Sequence, residues 1–569
     1  MKLNNVFKQA TLLTLLLGTG IGVNGQVRDT SDRPVTLDSF DIVRDYRPIL
    51  ADAVKIRRSP DMANKREYMP KLNYGNVPDR KLDINTGLKE LKIMETPFSE
   101  WREHRSNYVK FGAGNFNTLL GEAYFAVEDY EDIRFGGFLK HLSQKGVLEA
   151  QKFSRQEVGI FGRRVFPLFT LNGVVGYNGY GTNFYGVPEN GDGATLNSAF
   201  EAQRFNDIYF SGELTSNFDP ENEDALSYSL KADAYAYSDK FSAKENSIAL
   251  GGYLNKRYRA FNAGANIALD INSVSGVHSP TGKLNNSIAS INPYIRFKGA
   301  NYNITLGANI VSEFGDSSRF NVFPEAEIDF SLVPEYFYIF GGVSGGVHKG
   351  SFKAFSRENP YLGPNLDIRN TIDRMNIYGG IKGNAGATFG YKVKGFYKKV
   401  EGLAMFANNL ESPYMFDLVY DGEGDDAVTH VGIEGEINVR LSEVVNLGGR
   451  LNIDQYTMVN QEEAWHLPKM KLAANARFNI SEKLYIDAEA LFHGLSYARG
   501  WAPATSSPTP IEKQTVDSFL DLSAGAEYKA TQQIGIFVKA NNLLNTEYQR
   551  YLYYPKLGFN ILGGVNFSF

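Results

Sequence analysis

Cysteine is absent from the 569 residues. Its absence removes a disulfide framework, a thiolate nucleophile, cysteine-ligated zinc and a lipid-anchoring thiol. An excess of positive charge is missing too: 59 Lys and Arg stand against 64 Asp and Glu, a net charge of −5. Nothing basic therefore marks a nucleic-acid partner, and none is expected. Long apolar runs are also lacking. Mean hydropathy is −0.30, and beyond the first 25 residues no stretch approaches the ~18 uninterrupted apolar residues of a membrane helix. A helical membrane protein is excluded. The 7 histidines, at 104, 141, 278, 348, 430, 466 and 493, are scattered. None pairs at metal-ligand helix spacing, and no HExxH, GxSxG or GxxxxGK[ST] occurs. The expectation is a protein that is no enzyme, with no cofactor and no metal site.

Proline is scarce at 21 residues, whereas glycine reaches 56, tyrosine 33 and phenylalanine 39. The length fits three or four soluble domains, or one very large β architecture. A weakly polar chain rich in glycine and aromatics suits a transmembrane β-barrel, whose membrane signal is alternation rather than hydrophobic runs.

Residues 1–25 read as an export signal. Lys2 and Lys8 precede an apolar run at 10–18, and the small-residue stretch Val23-Asn24-Gly25 comes before Gln26. This charged, apolar, cleavable order is too short to span a bilayer as a helix. Residues 26–105 differ again: they hold 16 basic and 14 acidic residues, with prolines at 34, 48, 60, 70, 78 and 97. Such a segment is interrupted too often for a long helix or a central strand. It reads either as an extended linker or as a periplasmic or lumenal segment.

From residue 106 the period becomes two. Leu557, Phe559, Ile561, Val565, Phe567 and Phe569 alternate with small and polar residues. Successive strand side chains point to opposite faces, so one face is apolar and the other small and polar. The same pattern places Glu434, Glu436, Arg440, Arg450, Arg477, Asp487, Glu489 and Lys539 on the polar face, as lumen candidates of both signs. Connections alternate between short ones, such as 298–301, 333–336, 442–443 and 481–483, and long ones near 178–204, 272–285, 347–372, 400–425 and 497–514. Short turns on one side and long loops on the other are what outer-membrane barrels show. The segments predict 22 strands over 106–569, an all-β closed antiparallel barrel, because an open sheet edge finds no partner in lipid. Tyr177, Tyr180, Phe184, Tyr185, Tyr497 and Trp501, where strand meets loop, are expected in an interfacial aromatic girdle, the alternative being a ligand or partner platform on the outer face.

The run Ile536-Phe-Val-Lys-Ala-Asn-Asn-Leu-Leu-Asn-Thr-Glu-Tyr548 resembles the penultimate strand and loop of TonB-dependent receptor barrels. So does the closing Leu557-Gly-Phe-Asn-Ile-Leu-Gly-Gly-Val-Asn-Phe-Ser-Phe569, in which Phe567 and Phe569 match the barrel's C-terminal signal. Asn107–Asn115 and Leu139–Ser143 look like a plug-less branch of that family. The resemblance implies integral insertion in the lipid of a Gram-negative outer membrane and transport or reception of a solute. It also implies a periplasmic energy-coupling partner, for which Asp38-Ser-Phe-Asp-Ile-Val-Arg44 is the candidate contact. A full receptor carries a globular plug of well over a hundred residues, and 26–105 is too short for one. The alternative is therefore a scaffold barrel in a protein export or assembly complex, bound to other envelope proteins.

Overall fold

The computed structural model describes residues 107–569 apart from 131, 187–199, 218–225, 259–260, 387, 413, 443 and 501–512. The export signal at 1–25, the segment 26–105 and Trp501 lie outside the described residues.

Alternating sequence becomes strand, and the strands close on themselves. Twenty-two of them form one antiparallel sheet in which chain neighbours pair. The first, Tyr108–Gly114, pairs with Thr118–Tyr130 on one side and with the last, Asn560–Ser568, on the other. At that seam Tyr108 faces Ser568, Lys110 faces Asn566 and Gly114 faces Leu562. Closure satisfies every edge, which a sheet in hydrocarbon requires. Strand length varies around the ring, from 7 residues in Tyr108–Gly114 to 16 in Lys283–Lys298. The low side holds Tyr108–Gly114, Ile534–Asn541 and Asn560–Ser568.

The outward face explains itself by alternation. In Lys244–Arg257, Ile248 and Leu250 are 55% and 48% exposed, while Glu245 and Ser247, of the opposite parity, are buried. The same holds for Ile208 and Phe210 against Phe205 and Asp207, and for Leu171 and Val175 against Thr182. An apolar belt running round a closed barrel is far larger than any patch a soluble monomer leaves in water. Only lipid covers it. No described helix is long and apolar enough to cross a membrane, and the crossing is made by strands.

The two rims are unequal. One carries the connections 131–132, 166–168, 258–261, 299–301, 334–336, 386–388, 441–444, 480–483 and 530–533, with 217–226 as its longer member. The chain also enters and ends on this rim, where the Phe569 N–H donates to the Asn107 carbonyl at 3.0 Å. The other rim carries 184–201, 349–370, 402–427, 458–469, 494–518 and 542–559. Small structures fill these loops. A hairpin of Leu403–Asn408 with Phe416–Asp421 sits in one, and a hairpin of Ser496–Arg499 with Lys513–Val516 in another. A short helix, α1 (Phe352–Glu358), sits in a third. The first hairpin leaves and rejoins the wall through Gly402 and Gly422, both with φ above +60°, and the Gly402 N–H donates to the Gly422 carbonyl at 2.8 Å. A side chain at either would be strained, so glycine sets this exit.

The connection near 272–285 is shorter than the sequence suggests, covering only 276–282. In the opposite sense, 542–559 is a long loop that the alternation on either side conceals.

Candidate functional site

The long loops do not stand out in water; they fold together. Phe184, Tyr185, Phe352, Tyr361, Leu362, Phe406, Tyr414, Phe416, Tyr551 and Tyr554 form one buried core with the wall residues Phe205, Tyr237 and Val274. Those wall residues share their strand face with Asp207 and Asn272, opposite the lipid-facing Ile208 and Ile271. The core therefore lies on the inner side of the barrel mouth.

Three tyrosines mark its centre. Tyr185 follows the fifth strand, Tyr361 follows the thirteenth, and Tyr554 lies between the last two. Around a ring of 22 these loops start eight, eight and six strands apart, since 8 + 8 + 6 = 22. They enter from three sides, yet the rings touch. Tyr361 and Tyr554 stack with centroids 3.6 Å apart, and Tyr185 stands edge-on to them at 5.8 and 5.0 Å. Loops from such separated positions can meet only across the opening, so the described loops bridge the mouth. Burial raises the pKa of all three phenols, so they act as neutral hydrogen-bond donors. The Tyr185 hydroxyl donates to the Pro555 carbonyl at 3.1 Å, and that of Tyr554 to the Tyr414 carbonyl. Gly186 is required here, because a Cβ on it would sit 2.6 Å from the Tyr554 ring.

This arrangement corrects the expected aromatic girdle. Tyr177 keeps the outward parity of Leu171 and Val175, but Tyr180 has the opposite parity, and Phe184 and Tyr185 are buried in the loop core. Tyr497 packs beside Trp465 in a neighbouring cluster rather than at a lipid interface. Parity governs a side chain only while the strand lasts. Beyond Asn183 the chain turns inward, and its aromatics follow it.

Helix α1 fastens the loop 349–370 to the wall through carboxylates. Asp207, Glu245 and Glu313 are all almost wholly buried. Asp207 takes Lys353 Nζ at 2.9 Å and an Arg357 nitrogen at 2.6 Å. Glu245 Oε2 accepts the Ser351 hydroxyl at 3.1 Å and the Lys353 N–H at 2.7 Å, at the helix N-terminus, where the dipole favours an anion. Lys349 reaches Asp270 at 2.5 Å, and Glu313 holds Arg319 at 3.0 Å and the Asn370 amide at 2.6 Å. Desolvation lowers the Lys353 pKa, and the bond to Asp207 opposes that shift. Ser351 caps α1 by accepting from the Ala354 N–H at 3.2 Å. This acidic wall was not among the sequence candidates. Its signal was present as isolated carboxylates near the loop ends of strands, facing a loop with Lys349, Lys353, Arg357 and Arg369.

The eight charged candidates occupy another part of the wall. Register sets Arg440 opposite Asn446, then Arg477, Asp487, Gly525 and Lys539 in one row across neighbouring strands. Glu489, Glu436 with Arg450, and Glu434 lie on rows above it, on the same face and opposite Val431, Ile433 and Ile437. Their pairs include Lys394 with Glu434 at 2.7 Å, Arg450 with Glu436 at 2.9 Å, and Arg477 with Asp487 at 2.7 Å. None of the eight joins the loop core. Phe567 and Phe569 sit at the short-turn rim, with ring centroids 5.5 Å apart and Phe569 edge-on to Phe125 at 6.2 Å.

A cavity of about 200 Å³ lies against the tyrosine junction, lined from the last strands and their loop 542–559 on one side and from the third to fifth strands and their connections on the other. Tyr180, Tyr185, Tyr361, Tyr548, Asp521 and Lys556 line it, together with amide side chains.

No protein-family model matches the chain. No curated protein matches it either. Solved structures do match its fold. A ferric-catecholate import receptor from Escherichia coli K12 has a TM-score of 0.61 at 10% identity, over 82% of this chain and 82% of that one. An iron transporter from Neisseria meningitidis gives 0.61 at 11%, over 81% of each chain. The outer-membrane ferripyoverdine receptor of Pseudomonas aeruginosa gives 0.60 at 12%, over 81% of this chain and 71% of that one. At such identities the likeness is one of fold.

Proposed function

We propose that this chain is an integral outer-membrane barrel that takes up or receives a solute, with its folded loops serving as the outer gate. The observation that carries the reading is the bridged mouth: a closed 22-strand barrel whose long loops meet at Tyr185, Tyr361 and Tyr554. A barrel of ~16–18 strands already leaves an aqueous channel, and ~22-stranded transporters are plugged. A wall of this size needs occlusion, and the described loops supply it on one rim. Receptors and a transporter of similar fold support the direction of the proposal.

The inner surface is of mixed sign, through Lys394–Glu434, Arg450–Glu436 and Arg477–Asp487. In this reading Asp38–Arg44 meets a periplasmic energy-coupling protein.

The test is outer-membrane fractionation and heat-modifiable migration, followed by solute accumulation in cells with and without the chain. Recovery in the soluble periplasm, or unchanged accumulation of every solute in a broad panel, overturns the proposal. Stable co-purification with envelope proteins and no solute phenotype would favour the scaffold instead.

A further inference from the structure

We propose that the cavity beside the tyrosine junction binds a zwitterionic ligand, a free amino acid with an apolar side chain. The site deepens the uptake reading by naming a substrate class, and it rests on that reading for the direction of traffic only.

Three features of the lining point the same way. The first is an unpaired cation. Lys556 lines the cavity, and among the described residues its ammonium makes no salt bridge or hydrogen bond. Protein surrounds it densely, which pulls its pKa down to about 8, with Arg550 adding a little. Its side chain nonetheless stays open to solvent, so the charged form dominates at neutral pH. The second is an underused carboxylate. Asp521 lines the same cavity; its Oδ2 accepts the Tyr548 hydroxyl, and among the described residues no cation pairs with it. A carboxylate held by one neutral donor can take a further, charge-assisted bond from an incoming cation. Lys556 and Asp521 do not pair with each other, although both reach one cavity; a ligand carrying both charges would satisfy both groups.

The third feature is the rest of the wall. Tyr180, Tyr185, Tyr361 and Tyr548 give aromatic surface for an apolar side chain, while Gln144, Asn541 and Asn560 give polar contacts. An apolar cavity of about 150 Å³ accommodates benzene. The 200 Å³ here suits one amino acid rather than a chain of several or a metal chelate. Because Tyr185 and Tyr361 belong to both the cavity and the junction, an occupant touches the rings that hold the mouth shut.

The experiment is calorimetric titration of the full mature chain in detergent with L-phenylalanine, phenylalaninamide, N-acetyl-phenylalanine and glucose. Phenylalanine is expected to bind, and each derivative, lacking one charge, to bind at least about tenfold more weakly, since each loses a charge-assisted contact. Lys556→Met should erase the difference between phenylalanine and its amide, and Lys556→Arg should restore it. Asp521→Asn should erase the difference between phenylalanine and its N-acetyl form. Heat-modifiable migration reports that each variant is folded, and the four-ligand series on the parent decides the matter even if a variant is not. No phenylalanine binding, equal binding of the derivatives, or equal binding of glucose overturns the assignment. A Lys556→Met chain that loses all ligands alike does so too. Discriminating binding in a chain that carries no phenylalanine into proteoliposomes would sink the uptake reading and leave the site standing.

Discussion

Replacing Tyr554 with alanine is the sharpest probe of the bridged mouth. Tyr554 is 1% exposed. Its ring stacks on Tyr361 at 3.6 Å and meets Tyr185 edge-on at 5.0 Å, and its hydroxyl is bonded to the Tyr414 carbonyl. Truncating a buried aromatic costs ~3–5 kcal/mol, of which aromatic pairing supplies ~0.5–1.5. The lost hydroxyl leaves a carbonyl short of one donor, about 1 kcal/mol within that range. A loss of about 3–4 kcal/mol corresponds to two to three decades in the ratio of closed to open loops. All of it should fall on the loops, because no barrel strand depends on Tyr554 for its pairing. The assay is native-state hydrogen exchange by mass spectrometry. Amides of 351–368 and of the hairpin Leu403–Asn408 should lose protection by about 100-fold to 1,000-fold, or by all they have if it is less. Barrel-strand amides should not change. Tyr336→Ala, on the opposite rim and 54% exposed, is the control and should leave the loops protected. Unchanged exchange across 349–370 in a folded Tyr554→Ala barrel would refute the idea that this junction holds the mouth.

Asp207→Asn should release α1 more than Arg357→Ala does. Losing the carboxylate strands two cations, about 3 kcal/mol at the low end for a buried pair because Arg357 is half exposed, whereas losing Arg357 alone costs at most about 1 kcal/mol; exchange of the helix amides ranks the two. His466, buried against Phe416 and Tyr551, has its pKa pushed down to about 3 by burial first; a hydrogen bond with the Arg550 backbone opposes the shift, and the charges of His493 and Arg550 add to it. Below 6.5 the unfolded loop binds a proton that the folded one refuses, so loop stability is full above 6.5 and falls toward 3, by about 2 kcal/mol at pH 5. Exchange measured against pH should show that slope, and His466→Gln should flatten it.

Legibility in the sequence differed between wall and loops. In a strand the side-chain period is two whatever the tertiary context, so Ile248 and Leu250 announce an outward face and Glu245 an inward one from local order alone. Short turns such as 299–301 and 334–336 are equally local, since two adjacent antiparallel strands need nothing else to join them. The eight charged candidates came from the same rule, and register sets them on one face. The acidic wall escaped notice because Asp207, Glu245, Asp270 and Glu313 come from four different strands and are joined only by what they hold. Tyr185, Tyr361 and Tyr554 are further apart still: 369 residues separate the first from the last, since 554 − 185 = 369. No period links them.

Composition and alternation by themselves determined an all-β, 22-strand barrel with unequal rims. They could do so because a bilayer imposes its demand on every strand separately: each must hide its backbone bonds in a neighbour and turn apolar side chains to lipid. Only the tertiary structure decided that the long loops fold inward and meet. It also decided that Phe184 and Tyr185 leave the girdle for a core, and that Lys556 and Asp521 share a cavity. Those outcomes depend on how far around the ring each loop begins and on which buried carboxylate receives which cation. Both are properties of the closed circle, and no single stretch of chain contains them.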